Sequence, residues 1–239
     1  MWLALETATD RASVAVGESV ADAVEECITG PRRHAGALLP MVQRALWRRD
    51  ATLDQITGIL LSDGPGSFTG LRVGAAVAKG LVHARGLPLR VAPSLMVRAV
   101  GAAPADGSLV IAVADALRGE VYAGGFRFET GQVIVELPAA VHRPAELGGL
   151  GLTPDHLVGD VPDGVAAELE RWAGRKLVRS PGGAARAESL IALATRAGGT
   201  RAVSEVTTWE PEYGRPAEAQ ARWESLHGRP LPDPAGDPR

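Results

Sequence analysis

One cysteine, Cys27, in a chain of 239 residues excludes an internal disulfide and any thiolate metal cage, and leaves that side chain the role of a small buried hydrophobe. Aromatic residues are only 4% of the chain, too few for the stacking platforms on which single-strand binders lay nucleobases. Positive charge is not in excess either: 25 Lys and Arg face 28 Asp and Glu, and a net −3 draws nothing toward a phosphate backbone. Lysine itself is confined to Lys79 and Lys176. No apolar run approaches the roughly 18 residues of a membrane span, and Met1-Trp2-Leu3-Ala4-Leu5 meets Glu6 too early for a secretory leader. A cytoplasmic chain with no membrane partner is expected.

What remains is a hydrophobic fraction of 46% over a length that fits one large or two modest domains with a true core. Residues 2–5 and 13–16 read as strands around the polar turn Thr7-Ala8-Thr9-Asp10-Arg11, and residues 21–28 as a third. Ala35, Leu38, Leu39, Val42, Ala45 and Leu46 recur at helical spacing and predict a helix over 35–49, with Met41 and Trp47 outside the stripe. A strand at 57–62 leads into Gly64-Pro65-Gly66-Ser67-Phe68-Thr69-Gly70-Leu71-Arg72-Val73-Gly74 and a helix over 69–85 with almost no polar face, expected to be buried nearly all round. In that turn the glycines permit backbone angles closed to other residues, and Ser67 or Thr69 can cap the helix. Gly70, Gly74 and Ala78 then form a line of small side chains, which predicts the close approach of another helix.

A strand at 89–92 and a helix at 94–101 complete a unit β-β-β-α-β-α-β-α over residues 1–104. After Pro104-Ala105-Asp106-Gly107 three strands begin again at 108–114, 121–128 and 132–137, followed by a strand at 156–158 and helices at 144–147, 164–172 and 187–197. Two units that open alike predict an α/β chain with the duplicated lobes of the actin, Hsp70 and sugar-kinase superfamily, an RNase H-like plan, with a reduced second lobe at 105–215. Prolines at 211, 216, 230, 232, 234 and 238 predict a flexible tail over 216–239.

Leu5-Glu6-Thr7-Ala8-Thr9, Arg33-His34 before Leu38-Leu39-Pro40, the Gly64 to Gly74 run, Asp115-Ala116-Leu117-Arg118-Gly119-Glu120-Val121-Tyr122 and Pro211-Glu212-Tyr213 occur in one order. Together they resemble the TsaB, or YeaZ, family over about residues 1–215. The resemblance implies a non-catalytic paralogue and partner of the TsaD transferase, which places threonylcarbamoyl on the adenosine beside the anticodon of tRNAs reading codons that begin with A. It also implies recruitment of the TsaE ATPase, homodimers in isolation, and contact with tRNA only through the assembled complex. The interface it implies lies on helices 35–49 and 69–85, at Leu38, Met41, Val42, Ala45, Trp47, Gly70, Val73, Gly74, Val77, Ala78 and Leu81.

The residues carry no catalytic kit of their own. The Gly64 turn has neither the spacing of a Walker loop nor that of a dinucleotide fingerprint, and Ser67 does not sit in a nucleophile elbow. Set against the transferase, its two metal-binding histidines fall at Ser94 and Arg98, and the five histidines of the chain form no HxxxH or HExxH pair, so neither metal nor cofactor is expected. The turn from Glu6 to Asp10 lacks glycine, which leaves Glu6 and Asp10 to a hydrated Mg²⁺ or to a solvated turn. Asp115, Arg118 and Glu120 at a strand end are the other cleft candidates, as acid, base and anion partner or as a turn salt bridge. Arg44, Arg48, Arg49, Lys79 and Arg85 are candidates for a tRNA path or for a solvated face. Against the scaffold stand two alternatives acting alone, a sugar-kinase-like ATPase and a glycoprotease-type peptidase.

Overall fold

The computed structural model describes residues 1–30, 33–102, 104–214 and 226–228. Strands β1 (Trp2–Glu6), β2 (Arg11–Gly17) and β3 (Val24–Thr29) form an antiparallel meander. Helix α1 (His34–Arg48), strand β4 (Gly58–Ser62), helix α2 (Phe68–Arg85), strand β5 (Leu89–Ala92) and helix α3 (Ser94–Gly101) follow, with β4 and β5 extending the sheet in parallel. The second lobe repeats the plan with β6 (Leu109–Asp115), β7 (Val121–Glu129), β8 (Gln132–His142), α4 (Pro144–Leu147), β9 (His156–Asp160), α5 (Asp163–Ala173) and the two-residue β10 (Leu177–Val178). Strand orders β5-β4-β1-β2-β3 and β10-β9-β6-β7-β8 correspond one to one, so the chain is the expected two-lobed α/β fold with a thinner second lobe.

The chain then returns to the first lobe. Helix α6 (Ala187–Ala194) packs on β1, β2 and β4, and β11 (Arg201–Val203) adds an antiparallel strand outside β5. Residues 187–203, assigned from sequence to the second lobe, therefore complete the first sheet. Neither β10 nor β11 was foreseen, since runs this short carry no periodicity. The expected tail at 216–239 lies outside the described residues except for 226–228.

Three cores result. Leu3, Leu5, Val14 and Val16 face Leu38, Met41, Val42 and Ala45 of α1 and Ala75 and Ala78 of α2 on one side of the first sheet. Helices α3 and α6 fill the space between the sheets, with Leu95, Val97, Leu190 and Leu193 against Leu60, Val110 and Phe126. Ile111, Val113 and Leu157 meet Leu147, Ala166 and Leu169 on the outer side of the second. Met41, outside the periodic stripe, is fully buried, because α1 lies in the angle between the sheet and α2.

Two expectations about side-chain environment are overturned. Cys27 is exposed, since β3 is the edge strand and the alternation of a strand turns that position outward. Helix α2 is open along one side, where Arg72, Ala76, Gly80, His83 and Ala84 are exposed, because small side chains can face water at little cost.

The line Gly70, Gly74, Ala78 faces inward rather than toward another helix. A Cβ on Gly70 would stand 2.1 Å from the Thr7 carbonyl, and one on Gly74 2.3 Å from the Thr7 hydroxyl and 3.1 Å from Leu61. The glycines thus let α2 close on the end of β1. Gly80, on the open side, meets nothing within 4 Å. Gly74→Val is expected to lower unfolding free energy by about 1–3 kcal/mol through overpacking, and Gly80→Val to change it far less, in denaturant melts of the two variants.

Candidate functional site: the interlobe cleft and the outer helix face

Between the lobes opens a cleft of about 1210 Å³, lined by the β1–β2 turn, the start of α2, the ends of β6 and β9, and the segment around Ser180. Asp115, Arg118 and Glu120 line it as the sequence suggested, and Asp10 joins them from the facing turn. Glu6 does not: it is fully buried beneath the turn, with Oε1 accepting the Ala8 amide at 2.7 Å. Its Oε2 and the hydroxyls of Thr7 and Ser62 form no hydrogen bond of normal geometry. Burial raises the Glu6 carboxyl from the ordinary range to about 7, and the nearby Ser62 hydroxyl, the Ala8 amide and the Arg98 charge offset only part of that rise.

The backbone of the β1–β2 turn is engaged by its own chain. The Ala8 amide is taken by Glu6 and the Arg11 amide by the Thr9 hydroxyl at 3.2 Å, while the Ala8 carbonyl accepts from Ser67 at 2.7 Å. A Cβ on Gly66 would lie 2.3 Å from that carbonyl, so α2 begins against the turn with no gap. Ser67, rather than Thr69, is the cap, accepting the Gly70 amide.

At the transferase-like ligand positions the side chains have other work. Ser94 accepts the Gly64 amide at 3.0 Å. Arg98, nearly buried, donates from one nitrogen to Asp160 at 2.8 Å and to the Gly183 carbonyl at 2.7 Å, fixing the first lobe to the second. Burial alone would raise Asp160, but the Ser180 hydroxyl and amide and the Arg98 guanidinium outweigh it and hold the carboxyl below its usual range. A guanidinium in that place repels a cation. Among the described residues no three of His, Cys, Asp and Glu converge as metal ligands, and His34 is bonded through Nε2 to the Thr9 carbonyl at 2.8 Å.

Asp115, Arg118 and Glu120 do not form the expected turn salt bridge. Asp115 accepts the Leu117 amide at 2.8 Å, backbone bonds join Ala116 to Glu120 and Glu120 to Leu117, and the Glu120 carboxylate approaches Arg143 at 4.0 Å. Leu117 (φ 63°) and Arg118 (φ 56°) are both left-handed, and Leu117 projects into solvent. Such strain in non-glycine residues marks a turn held by its surroundings.

The interface set splits by burial. Leu38, Met41, Val42, Ala45, Gly70, Gly74 and Ala78 are spent on this chain's own core, whereas Val73, Val77 and Leu81 are half-buried and Trp47 is 80% exposed. Leu39 is 51% exposed, and neither Gly36 nor Gly80 meets another atom where a Cβ would stand. Leu39, placed with Ala35 in the apolar stripe by its spacing, faces outward instead, because the stripe is wider than the face that α1 lays on the sheet. The basic candidates are largely engaged: Arg44 and Arg48 hold Glu26, Arg49 holds Asp22, Arg85 holds Asp54, and Lys79 donates to the Thr207 carbonyl.

The model of the family described as TsaD, tRNA N6-adenosine threonylcarbamoyltransferase, matches residues 17–194. The chain belongs to the TsaD family. Its kinship within that family is with TsaB, also called YeaZ. The tRNA threonylcarbamoyladenosine biosynthesis protein TsaB of Escherichia coli is 41% identical over 123 residues, 50% of this chain and 52% of that protein. TsaB of Haemophilus influenzae is 36% identical over 124 residues, 50% and 51% of the two chains. These matches span about half the length of the curated relatives. The structure of YeaZ from Pseudomonas aeruginosa superposes with a TM-score of 0.70 at 29% identity, covering 89% of this chain and 98% of that one. No described helix is long and apolar enough to cross a membrane.

The buried carboxyls set a pH dependence. Asp63, raised by burial to about 6 despite Arg201 beside it, acts with Glu6. Both are raised above their unfolded values, so the folded chain retains protons the unfolded chain has released, and stability present at about pH 4 is lost as pH rises toward about pH 8. Glu6 accounts for on the order of 3 kcal/mol of that loss. Denaturant melts across this range are expected to show the decline, and Glu6→Gln to flatten it; a profile unchanged by the substitution would exclude a neutral buried Glu6.

Proposed function

We propose that this chain is a non-catalytic member of the machinery that forms threonylcarbamoyladenosine on tRNA. In this reading it binds the TsaD transferase through the outer face of α1 and α2 and recruits the TsaE ATPase to the pair. The observation that carries the reading is that face: Trp47 and Leu39 project into solvent beside the half-buried Val73, Val77 and Leu81, with Gly36 and Gly80 leaving room for another backbone. Apolar side chains flanked by open glycines suit the close packing of helices from a second protein. The chain alone forms a homodimer in this reading.

The arrangement of the cleft supports the absence of catalysis. A phosphate turn whose amides are taken by Glu6 and Thr9, and a guanidinium at the metal position, leave neither of the groups a phosphoryl or acyl transfer of this fold draws on. Arg44, Arg48, Arg49 and Arg85 are neutralised by acids of this chain, which supports contact with tRNA through the assembled complex rather than along these helices. A role on tRNA is in keeping with a cytoplasmic location.

The test is reconstitution. Modified adenosine on tRNA is measured with purified transferase, ATPase and adenylate-forming enzyme from the same organism, with and without this chain. Activity is expected to depend on the chain, to fall at least about tenfold with Trp47→Asp combined with Leu39→Asp, and to survive Arg44→Ala. A desolvated aspartate at such a contact costs several times RT, which sets that scale. The isolated chain is expected to hydrolyse ATP no faster than buffer; full modification without it would sink the reading.

A further inference from the structure

Residues 204–214 run from β11 across α2 to the mouth of the cleft, and no helix or strand forms along them. Val206 and Trp209 rest on the edge of the first-lobe core, and the other positions are held by separate contacts. Lys79 donates to the Thr207 carbonyl at 3.2 Å and lies 5.8 Å over the Trp209 ring. Pro211 is buried, and the Glu212 amide donates to the Asp63 carbonyl at 2.6 Å. Arg201 joins the Asp63 carboxylate to that of Glu212. Tyr213 rests on Phe68 with ring centres 4.7 Å apart, and both rings line the cleft. Gly214, left-handed at φ 74°, ends the run where a Cβ would touch Tyr122 of β7 at 2.6 Å and Pro65 at 2.9 Å, so this segment reaches from one lobe to the other. The cleft interior names no ligand by itself, since Arg98, Asp160 and Ser180 satisfy one another there.

We propose that residues 204–214 are a releasable strap: lifted from the Gly64-Pro65 turn they open the cleft at its Phe68 and Tyr213 edge, and the cluster of Asp63, Arg201 and Glu212 is the fastening that decides when. The turn is built to receive it. Gly64, at φ 111°, comes so near that a Cβ there would overlap the Glu212 carbonyl at 1.9 Å, and the Ser94 hydroxyl and amide hold Gly64 from behind. Most of the strap's side chains are exposed and only Val206, Trp209, Pro211 and the Tyr213 ring anchor it by apolar contact, so it can open at the loss of few buried groups and without unfolding the sheets.

The fastening carries its own trigger. Asp63 is 2% exposed, and the charged groups that act on its carboxyl are Arg201 from β11 and Glu212 from the strap; β5 and α3 meet the backbone here through the uncharged Ala92 carbonyl, which accepts the Asp63 amide, and the Ser94 hydroxyl, which accepts the Gly64 amide. With the strap in place burial keeps the carboxyl near 6, Arg201 offsetting only part of the effect. Once the strap lifts, water reaches Asp63 and its proton is held at the ordinary carboxylate strength. The fastened state therefore binds the proton more tightly, so protonation of Asp63 favours the strap in place and its ionisation, as pH rises through about 6, favours release.

Amide hydrogen exchange of the full chain tests this, corrected for the intrinsic rate at each pH. Exchange at residues 207–214 is expected to be at least about tenfold faster at pH 7.5 than at pH 4.5 relative to β1 and β4, the size set by the displaced carboxyl. Asp63→Asn is expected to slow the strap at pH 7.5 to its low-pH rate, and Arg201→Gln to accelerate it there while raising binding of an apolar fluorescent dye in the cleft. Equal strap exchange at both pH values, or acceleration shared in full by β1 and β4, overturns the proposal. So does faster exchange in Arg201→Gln without greater dye binding. Should Asp63→Asn fail to fold, the wild-type comparison decides alone.

Discussion

Everything in the first lobe depends on how closely α2 lies on the end of β1. Gly66, Gly70 and Gly74 place backbone where side chains would collide with Ala8 and Thr7, and the Ser67 amide and Ala8 carbonyl join turn to helix. Contact at this range excludes water from the Glu6, Thr7 and Ser62 cluster and so produces the buried carboxyl. It also ties the Ala8 and Arg11 amides and the Ala8 carbonyl of the turn to groups of this chain. A single packing constraint thereby decides both the electrostatics beneath the turn and how the turn's own backbone is engaged. It has a third consequence, since a helix that presses its small residues inward must present its remaining ones outward.

The lobes are joined by interactions of a different kind. Arg98 reaches across to Asp160 and the Gly183 carbonyl, α3 and α6 fill the gap between the sheets, and the 204–214 segment passes over the outside. A buried guanidinium with several acceptors is costly to unpair, which favours a fixed separation of the lobes over the hinge closure of a kinase. Lobes held at a fixed separation leave the strap over the cleft mouth as the part free to move.

The lobes, their order and most helices and strands were legible in the chain because they rest on local periodicity: alternation in 13–16, helical spacing in 35–46, and glycine with proline at 64–66. The short strands β10 and β11 carry no such signal. Nor did the return of 187–203 to the first sheet, since a helix of Ala, Leu and Ile does not state which sheet it will cover. Among site residues, Asp115, Arg118 and Glu120 were found because they follow a strand at a lobe's opening. Glu6 was assigned to the cleft by the same reasoning and lies beneath it, because one residue's difference in register decides which side of a strand end is solvated.

Sequence by itself determined the duplicated α/β plan, a helix cap at Ser67 or Thr69, and the family, through motifs whose order is fixed along the chain. It determined too that the histidines form no HxxxH or HExxH pair, since their spacing can be read without coordinates. Only the tertiary structure decided which face each small residue takes. The line of Gly70, Gly74 and Ala78 has the same spacing whether it meets a partner's helix or this chain's own strand, and periodicity contains no information about what lies opposite. Exposure of Cys27 and Trp47, the neutralisation of Arg44 and Arg48 by Glu26, and the fastening of Glu212 at Asp63 were settled the same way. Each depends on residues brought together by folding from distant parts of the chain.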